Sequence, residues 1–216
     1  KTLCQIANQY GCINIVDAVT SLAGSELRVD DWGIDAIYSG SQKCLSAMPG
    51  LSPVSFSERA IEKLTNRKTP VTSWFLDLNL VMGYWGKGAK RAYHHTAPVN
   101  TLYGLHESLV MLTEEGIENS WSRHQQNHIL LRDGLNKLGI DYLVDEASRL
   151  PQLNSVIIPQ DQDDLRVRSS LLDNYNIDIG AGLGPLEGKI WRIGLMGHTS
   201  RKDNIEILLS ALKDTL

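Results

Sequence analysis

The sequence predicts an α/β protein. Three observations carry the prediction. Short apolar runs at 12–16 and 35–38 close on acids or on Ser/Gly turn formers, as buried strands do. Stretches of helical spacing alternate with these runs. Ser57 stands directly before one such stretch, with Glu58 in its first turn, which is a helix start with its cap.

Taken in order, residues 1–10 read as the last turns of an amphipathic helix, with Leu3, Ile6 and Ala7 on one face and Gly11 at the C-terminal position. A strand over 12–16 follows and ends on Asp17. A second strand over 35–38 leads into Tyr38-Ser39-Gly40-Ser41-Gln42-Lys43-Cys44, where the Ser/Gly cluster marks a turn out of the sheet. A third strand covers 51–56, and the Ser57-capped helix covers 58–66. After a loop at 67–70, the stretch 74–85 is apolar on several faces and predicts a buried helix interrupted at Gly83. The polar, glycine-containing stretch 86–91 predicts a mobile loop.

Thr96-Ala97-Pro98 stops one element. Leu102, Leu105, Leu109 and Leu112 then keep helical spacing in a long helix over 99–138, bent at Gly116. A long helix of this kind links domains, which sets the boundaries at 1–115 and 116–216. The second part alternates again, with strands at 140–144, 153–158, 177–179 and 189–195 and helices at 163–175 and 201–216, a small α+β domain.

Composition narrows the function. A net charge of −4 with acids and bases intermixed argues against nucleic acid and anionic membrane surfaces as partners, and no apolar run is long enough to span a bilayer. The three cysteines, Cys4, Cys12 and Cys44, are odd in number and lack metal-ligand spacing, which predicts reduced thiols. No secretory signal opens the chain, and Lys213-Asp214-Thr215-Leu216 matches neither an ER-retention nor a peroxisomal tail. The expectation is a cytoplasmic location, with peroxisome and mitochondrion left open.

Lys43 is the residue that points to chemistry. A lysine in the turn leaving a buried strand sits at the mouth of a sheet, where its amine can be desolvated and made nucleophilic. Asp17 ends a neighbouring strand. A lysine that forms a Schiff base and an acid that keeps a pyridine nitrogen protonated are the pair a pyridoxal phosphate enzyme needs. Either residue alone has a plainer reading, the lysine as a surface charge and the aspartate as a turn former.

The surrounding words are more specific than either residue. Val16-Asp17-Ala18-Val19-Thr20-Ser21-Leu22-Ala23-Gly24, Tyr38-Ser39-Gly40-Ser41-Gln42-Lys43, Tyr93-His94-His95-Thr96-Ala97-Pro98-Val99, Gly180-Ala181-Gly182-Leu183-Gly184-Pro185 and Trp191-Arg192-Ile193-Gly194 occur in one order. Together they resemble the class V aminotransferases, and within them the alanine–glyoxylate / serine–pyruvate group. The resemblance runs through essentially the whole chain. It implies pyridoxal phosphate fold-type I, here the C-terminal part of the large, mostly parallel-sheet domain followed by the small C-terminal domain. It also implies transamination of a small amino acid (alanine or serine) with glyoxylate or pyruvate, by a ping-pong cycle through Lys43. A cysteine desulfurase fits less well, because that branch carries a histidine where this chain has Gln42.

The resemblance assigns roles residue by residue. Lys43 and Asp17 are the catalytic pair, and Val19, Gln42, Tyr93 and Thr96 join them in holding the cofactor. Gln42, with the backbone amides of the 39–41 turn, reaches phosphate; Tyr93 and Thr96 reach the phosphate of a neighbouring subunit, which implies a homodimer. Arg192 clamps the substrate α-carboxylate through its planar fork, the plainer reading being an ion pair with an acid near Asp178. Gly182 lets backbone approach the substrate. His94 and His95 are adjacent and read as structural or rim residues, with no metal expected. Cys44 reads as a small buried thiol. Members of the resembled family carry a long region before the point where this sequence opens, so the expectation is a C-terminal portion that needs a further N-terminal segment. The rival expectations are a non-catalytic fragment, or a relative with another amino donor such as hydroxykynurenine or aminoethylphosphonate.

Overall fold

The computed structural model describes residues 1–85 and 92–216. The stretch 86–91, expected as a mobile loop, lies outside the described residues. Helix α1 (Thr2–Gln9) leads to strand β1 (Ile15–Asp17), followed by β2 (Ala36–Tyr38), β3 (Val54–Phe56), α2 (Glu58–Thr65) and α3 (Leu78–Trp85). Helices α4 (Val99–Glu115) and α5 (Ile117–Lys137) come next. Then come β4 (Leu153–Ile157), α6 (Asp164–Tyr175), β5 (Gly180–Ala181), β6 (Ile190–Gly194) and α7 (Lys202–Thr215).

Among the described residues the strands form two three-stranded sheets. In the first, β1 pairs with β2 in parallel, setting Asp17 opposite Tyr38, and β3 pairs with β2 antiparallel. The parallel pair matters because both strands then end at the same edge of the sheet, where ligands of open α/β sheets bind. In the second sheet β6 is central, antiparallel to both β4 and β5. Its apolar side chains, Trp191 and Ile193 among them, join Leu131 and Leu135 of α5, Val167 and Leu171 of α6, and Ile205 and Leu212 of α7 in the largest buried cluster.

A buried carboxylate ties the first sheet together. Asp35, directly before β2, accepts from the backbone and side-chain nitrogens of Asn14 (3.0 and 2.9 Å), from Ser57 Oγ (3.0 Å) and from Arg59. Burial alone would raise its pKa; the donors Arg59, Asn14 and Ser57 together outweigh that and hold it below the ordinary value. The Ser57 cap is present, its hydroxyl accepting from Ala60 N at 3.1 Å.

Several expectations from the sequence are corrected. The helix expected over 99–138 is two helices, because Gly116 takes φ +85° and ends the first ladder. The stretch 140–144 forms no strand: Tyr142 makes an isolated bridge to Val156, with two flanking bonds, Leu143 N to Ser155 O and Ile157 N to Asp141 O. The stretch 177–179 forms none either. Asn176 turns left-handed at the end of α6 and Ile177 N is used to cap Leu171 O, so pairing begins only at Gly180. In α1 the buried side chain is Cys4, packed among Ala18, Ile34 and Ile37, while Leu3 and Ile6 face outward. The apolar stretch expected as a buried helix is not buried over its described part, 74–84. Trp74, Phe75 and Leu76 are exposed, and α3 begins only at Leu78, packed against α2.

Candidate active site

The two segments that carry Asp17 and Lys43 are laced together at the shared edge of β1 and β2. Ala18 N donates to Tyr38 O at 2.9 Å, and Ser39 Oγ donates to Ala18 O at 2.9 Å. Cys44 Sγ donates to Thr20 O at 3.4 Å, and a Cβ at Gly24 would stand 2.6 Å from that sulfur. The chain after Asp17 is thus bonded to the residues on both sides of Lys43. The Asp17 side chain is exposed and oriented by two donors: Val19 N–H on Oδ1 at 2.8 Å and the Tyr38 hydroxyl on Oδ2 at 3.0 Å.

Lys43 is half-buried in the turn after β2 and makes no ion pair among the described residues. Its carbonyl accepts from Ser46 N at 2.9 Å, and Ala47 N bonds Ser41 O at 3.0 Å, so the turn is closed by its own backbone. Cys44, next in the chain, is buried, and burial pushes its thiol up to about 11. That is the inert small thiol expected from the sequence.

The amides of the 39–41 turn differ from expectation. Ser39 N bonds Pro53 O at 2.9 Å and Ser41 N bonds Leu51 O at 3.1 Å, continuing the β2–β3 pairing beyond the strands. Those two donors are therefore occupied within the fold. The Ser41 hydroxyl is occupied as well, by Met48 O. Gln42 is exposed, with its amide folded beside Gly40.

Arg192 lies on β6 and is half-buried. Its Nε donates to Ala181 O at 2.7 Å, and a Cβ at Gly180 would stand 3.3 Å from Nη2. The guanidinium is thus held by a carbonyl on the adjacent strand, without an acid partner among the described residues. The ion-pair alternative, an acid near Asp178, has no counterpart among the described residues. Beyond β6 the chain runs on to Met196, which packs against the buried cluster of Ala23, Cys44 and Leu45 beside Lys43.

Gly182 has a reason of its own to be glycine: a Cβ there would overlap the carbonyl oxygen of Leu186. The close approach at that position is to the chain's own backbone, a demand for glycine that is separate from the expected substrate-side role. Tyr93 and Thr96 are exposed and bonded to each other through their hydroxyls. They are not drawn into the Asp17–Lys43 group within this chain. His94 stacks on Trp74 at 3.9 Å, sends Nε2 to Trp74 O, and faces His95 ring to ring.

Tyr38, Ser46, His124 and Gly197 were not singled out from the sequence. Only Tyr38 carried a signal, its place in the Lys43 motif; the others depend on contacts between segments far apart in the chain.

Comparison with known proteins identifies the family. The aminotransferase class-V family matches residues 1–204. The alanine–glyoxylate aminotransferase of Callithrix jacchus is 42% identical over 98% of this chain and 52% of its own length. The (S)-ureidoglycine–glyoxylate transaminase of Bacillus subtilis is 36% identical over the whole chain and 56% of its own length. The crystal structure of an alanine–glyoxylate aminotransferase from Nostoc sp. superimposes with a TM-score of 0.95 at 45% identity, covering all of this chain and 56% of that one. The chain spans about half the length of the curated relatives it matches. With its motifs in register on the fold of the pyridoxal phosphate-dependent aminotransferases, the chain belongs to the class-V aminotransferase family.

Proposed function

We propose that this chain is the C-terminal part of a pyridoxal phosphate-dependent aminotransferase that moves an amino group from a small amino acid, alanine or serine, to glyoxylate or pyruvate. One observation carries the reading: Asp17 ends β1, Lys43 lies in the turn after the adjacent parallel strand β2, and the two segments are hydrogen-bonded to each other through Ala18, Tyr38 and Ser39. The residues fit the cofactor. A half-buried amine without an ion-pair partner among the described residues stands at the same sheet edge as an exposed carboxylate that two donors already orient. When bound, the cofactor supplies an electron-withdrawing ring that stabilises negative charge at the substrate α-carbon.

In this reading the chain's residues divide the work. Asp17 holds a proton on the ring nitrogen through a charge-assisted bond. Lys43 Nζ would hold the cofactor, and the same amine could take up and return the proton at the substrate α-carbon. Arg192, fixed through Nε, turns its two terminal nitrogens to the substrate carboxylate. Gln42 reaches phosphate, and the exposure of Tyr93 and Thr96 supports their reaching the phosphate of a second subunit in a homodimer. We keep the division at 1–115 and 116–216 as part of this proposal.

Both relatives quoted by name act on glyoxylate, which favours glyoxylate as the acceptor. The ureidoglycine relative supports a second reading of the donor, as an amino acid other than alanine or serine. The test uses the full-length protein. Borohydride reduction with cofactor present, then peptide mapping, should place the label on Lys43; a donor panel with glyoxylate should rank alanine and serine first. Label elsewhere, or full turnover by Lys43→Ala, would remove the reading. Preference for another donor would replace only the substrate assignment. Absence of label and turnover in the full-length protein would leave the non-catalytic alternative.

A further inference from the structure

A contact between the second sheet's continuation and the Lys43 turn is used by nothing described so far. After β6 the chain passes Met196 into Gly197 and His198, and this corner is seated on the Lys43 turn. His198 N donates to Ser46 Oγ at 2.7 Å. A Cβ at Gly197 would overlap Ser46 Oγ and stand 2.7 Å from the Cys44 carbonyl oxygen, so only glycine allows this approach, and its φ of +56° makes the same demand.

The corner is itself held from α5. Gly197 N donates to His124 Nε2 at 2.9 Å, and Gly197 O accepts from Arg123 Nη1 at 2.8 Å. His124 is fully buried, and its Nδ1 lies 2.7 Å from Ser120 O. A carbonyl can only accept, so Nδ1 carries the proton and Nε2 is left as the acceptor for Gly197. Arg123 is braced by Glu115, through Nη2 to Oε2 at 2.9 Å. Both backbone groups of Gly197 are therefore fixed by side chains from one helical turn of α5.

We propose that His124 is a positioning residue for Lys43, acting through Gly197: its unprotonated Nε2 holds the corner that fixes the turn carrying the lysine. The inference rests on the reading of Lys43 as the residue that anchors the cofactor. A half-ångström error in the Lys43 turn would be expressed in proton transfer at the α-carbon more than in substrate binding, because the turn does not carry Arg192.

The test compares His124→Leu, His124→Gln and Ser46→Ala in the full-length protein. Glutamine can offer an acceptor oxygen near the position of Nε2, whereas leucine cannot. Hydrogen exchange of the Ser46 and Ala47 amides, which close the Lys43 turn, is read without cofactor. His124→Leu is expected to speed exchange of those amides about tenfold, leave α6 protected and lower kcat about tenfold with little change in KM for the amino acid. His124→Gln is expected to restore most of both. If His124→Leu does not fold, Ser46→Ala, at an exposed residue, should still show faster exchange and a lower kcat. Unchanged exchange in the folded variants overturns the inference, as does faster exchange with unchanged kcat. Failure of the Lys43 reading would be distinct: Lys43→Ala would keep turnover whatever the exchange data show.

Discussion

The Tyr38 hydroxyl donates to Asp17 Oδ2 at 3.0 Å, between two residues that are register partners on adjacent parallel strands. Accepting this bond, Asp17 raises the phenol pKa, so Tyr38 stays a donor through the physiological range. With Val19 N on Oδ1, the carboxylate plane is set from both sides. Tyr38→Phe is expected to leave the fold intact and weaken cofactor binding about three- to tenfold, because Asp17 loses one of two orienting donors. A cofactor titration by fluorescence checks this; unchanged affinity would mean that Val19 alone suffices.

Arg192→Lys replaces a fork with a point charge and removes the Nε bond to Ala181 O. Its expected effect is a KM for amino acid substrates raised about tenfold or more, with cofactor affinity within a factor of two. Steady-state kinetics and a cofactor titration on the same preparation decide it. Equal loss of both would instead make Arg192 a residue of the fold.

Gly182→Ala separates a structural glycine from a substrate-contacting one. The added methyl meets the Leu186 carbonyl oxygen, which is backbone and cannot rotate away. Destabilisation of about 1–3 kcal/mol is expected, as for other insertions into filled space. Urea denaturation measures it. A variant of normal stability with impaired substrate binding would support the substrate-side role.

Acid should weaken the fold in two stages. Burial lowers the pKa of His124 below its ordinary 6.5; the Ser120 carbonyl opposes this and Arg123 adds to it. Burial likewise lowers that of His128, against the Asn154 side chain. Since both bind a proton more readily when unfolded, stability is full above about pH 6.5 and is lost as pH falls below it toward their folded values. Asp35 acts lower: its folded pKa is depressed below 3.8, so its contribution is present above 3.8 and lost as pH falls through the folded value. Urea midpoints at pH 8, 7, 6 and 5 should decline from 7 downward. A flat profile over that range would show that neither imidazole is buried neutral.

The sequence by itself determined the α/β class, the helix start at Ser57, the order of the motifs, and Lys43, Asp17 and Arg192 as the residues of interest. These are local signals: a run closing on an acid, a Ser/Gly turn before a lysine, a cap before a helix. It also carried the family, because several separated motifs occur in one order. Tertiary structure alone decided what each residue touches. The amides of Ser39 and Ser41 were open donors on paper, and pairing with Pro53 and Leu51 occupies them. Gly182 is glycine for a reason the sequence does not show, since a Cβ there would meet the turn at Leu186. Tyr38 meets Asp17 only because β1 and β2 are parallel and in that register, and His124 reaches Gly197 only because α5 packs beneath the end of β6. Hydrogen bonds join atoms by distance in space, and residues as far apart in the chain as 124 and 197 leave no pattern of spacing from which that distance can be read.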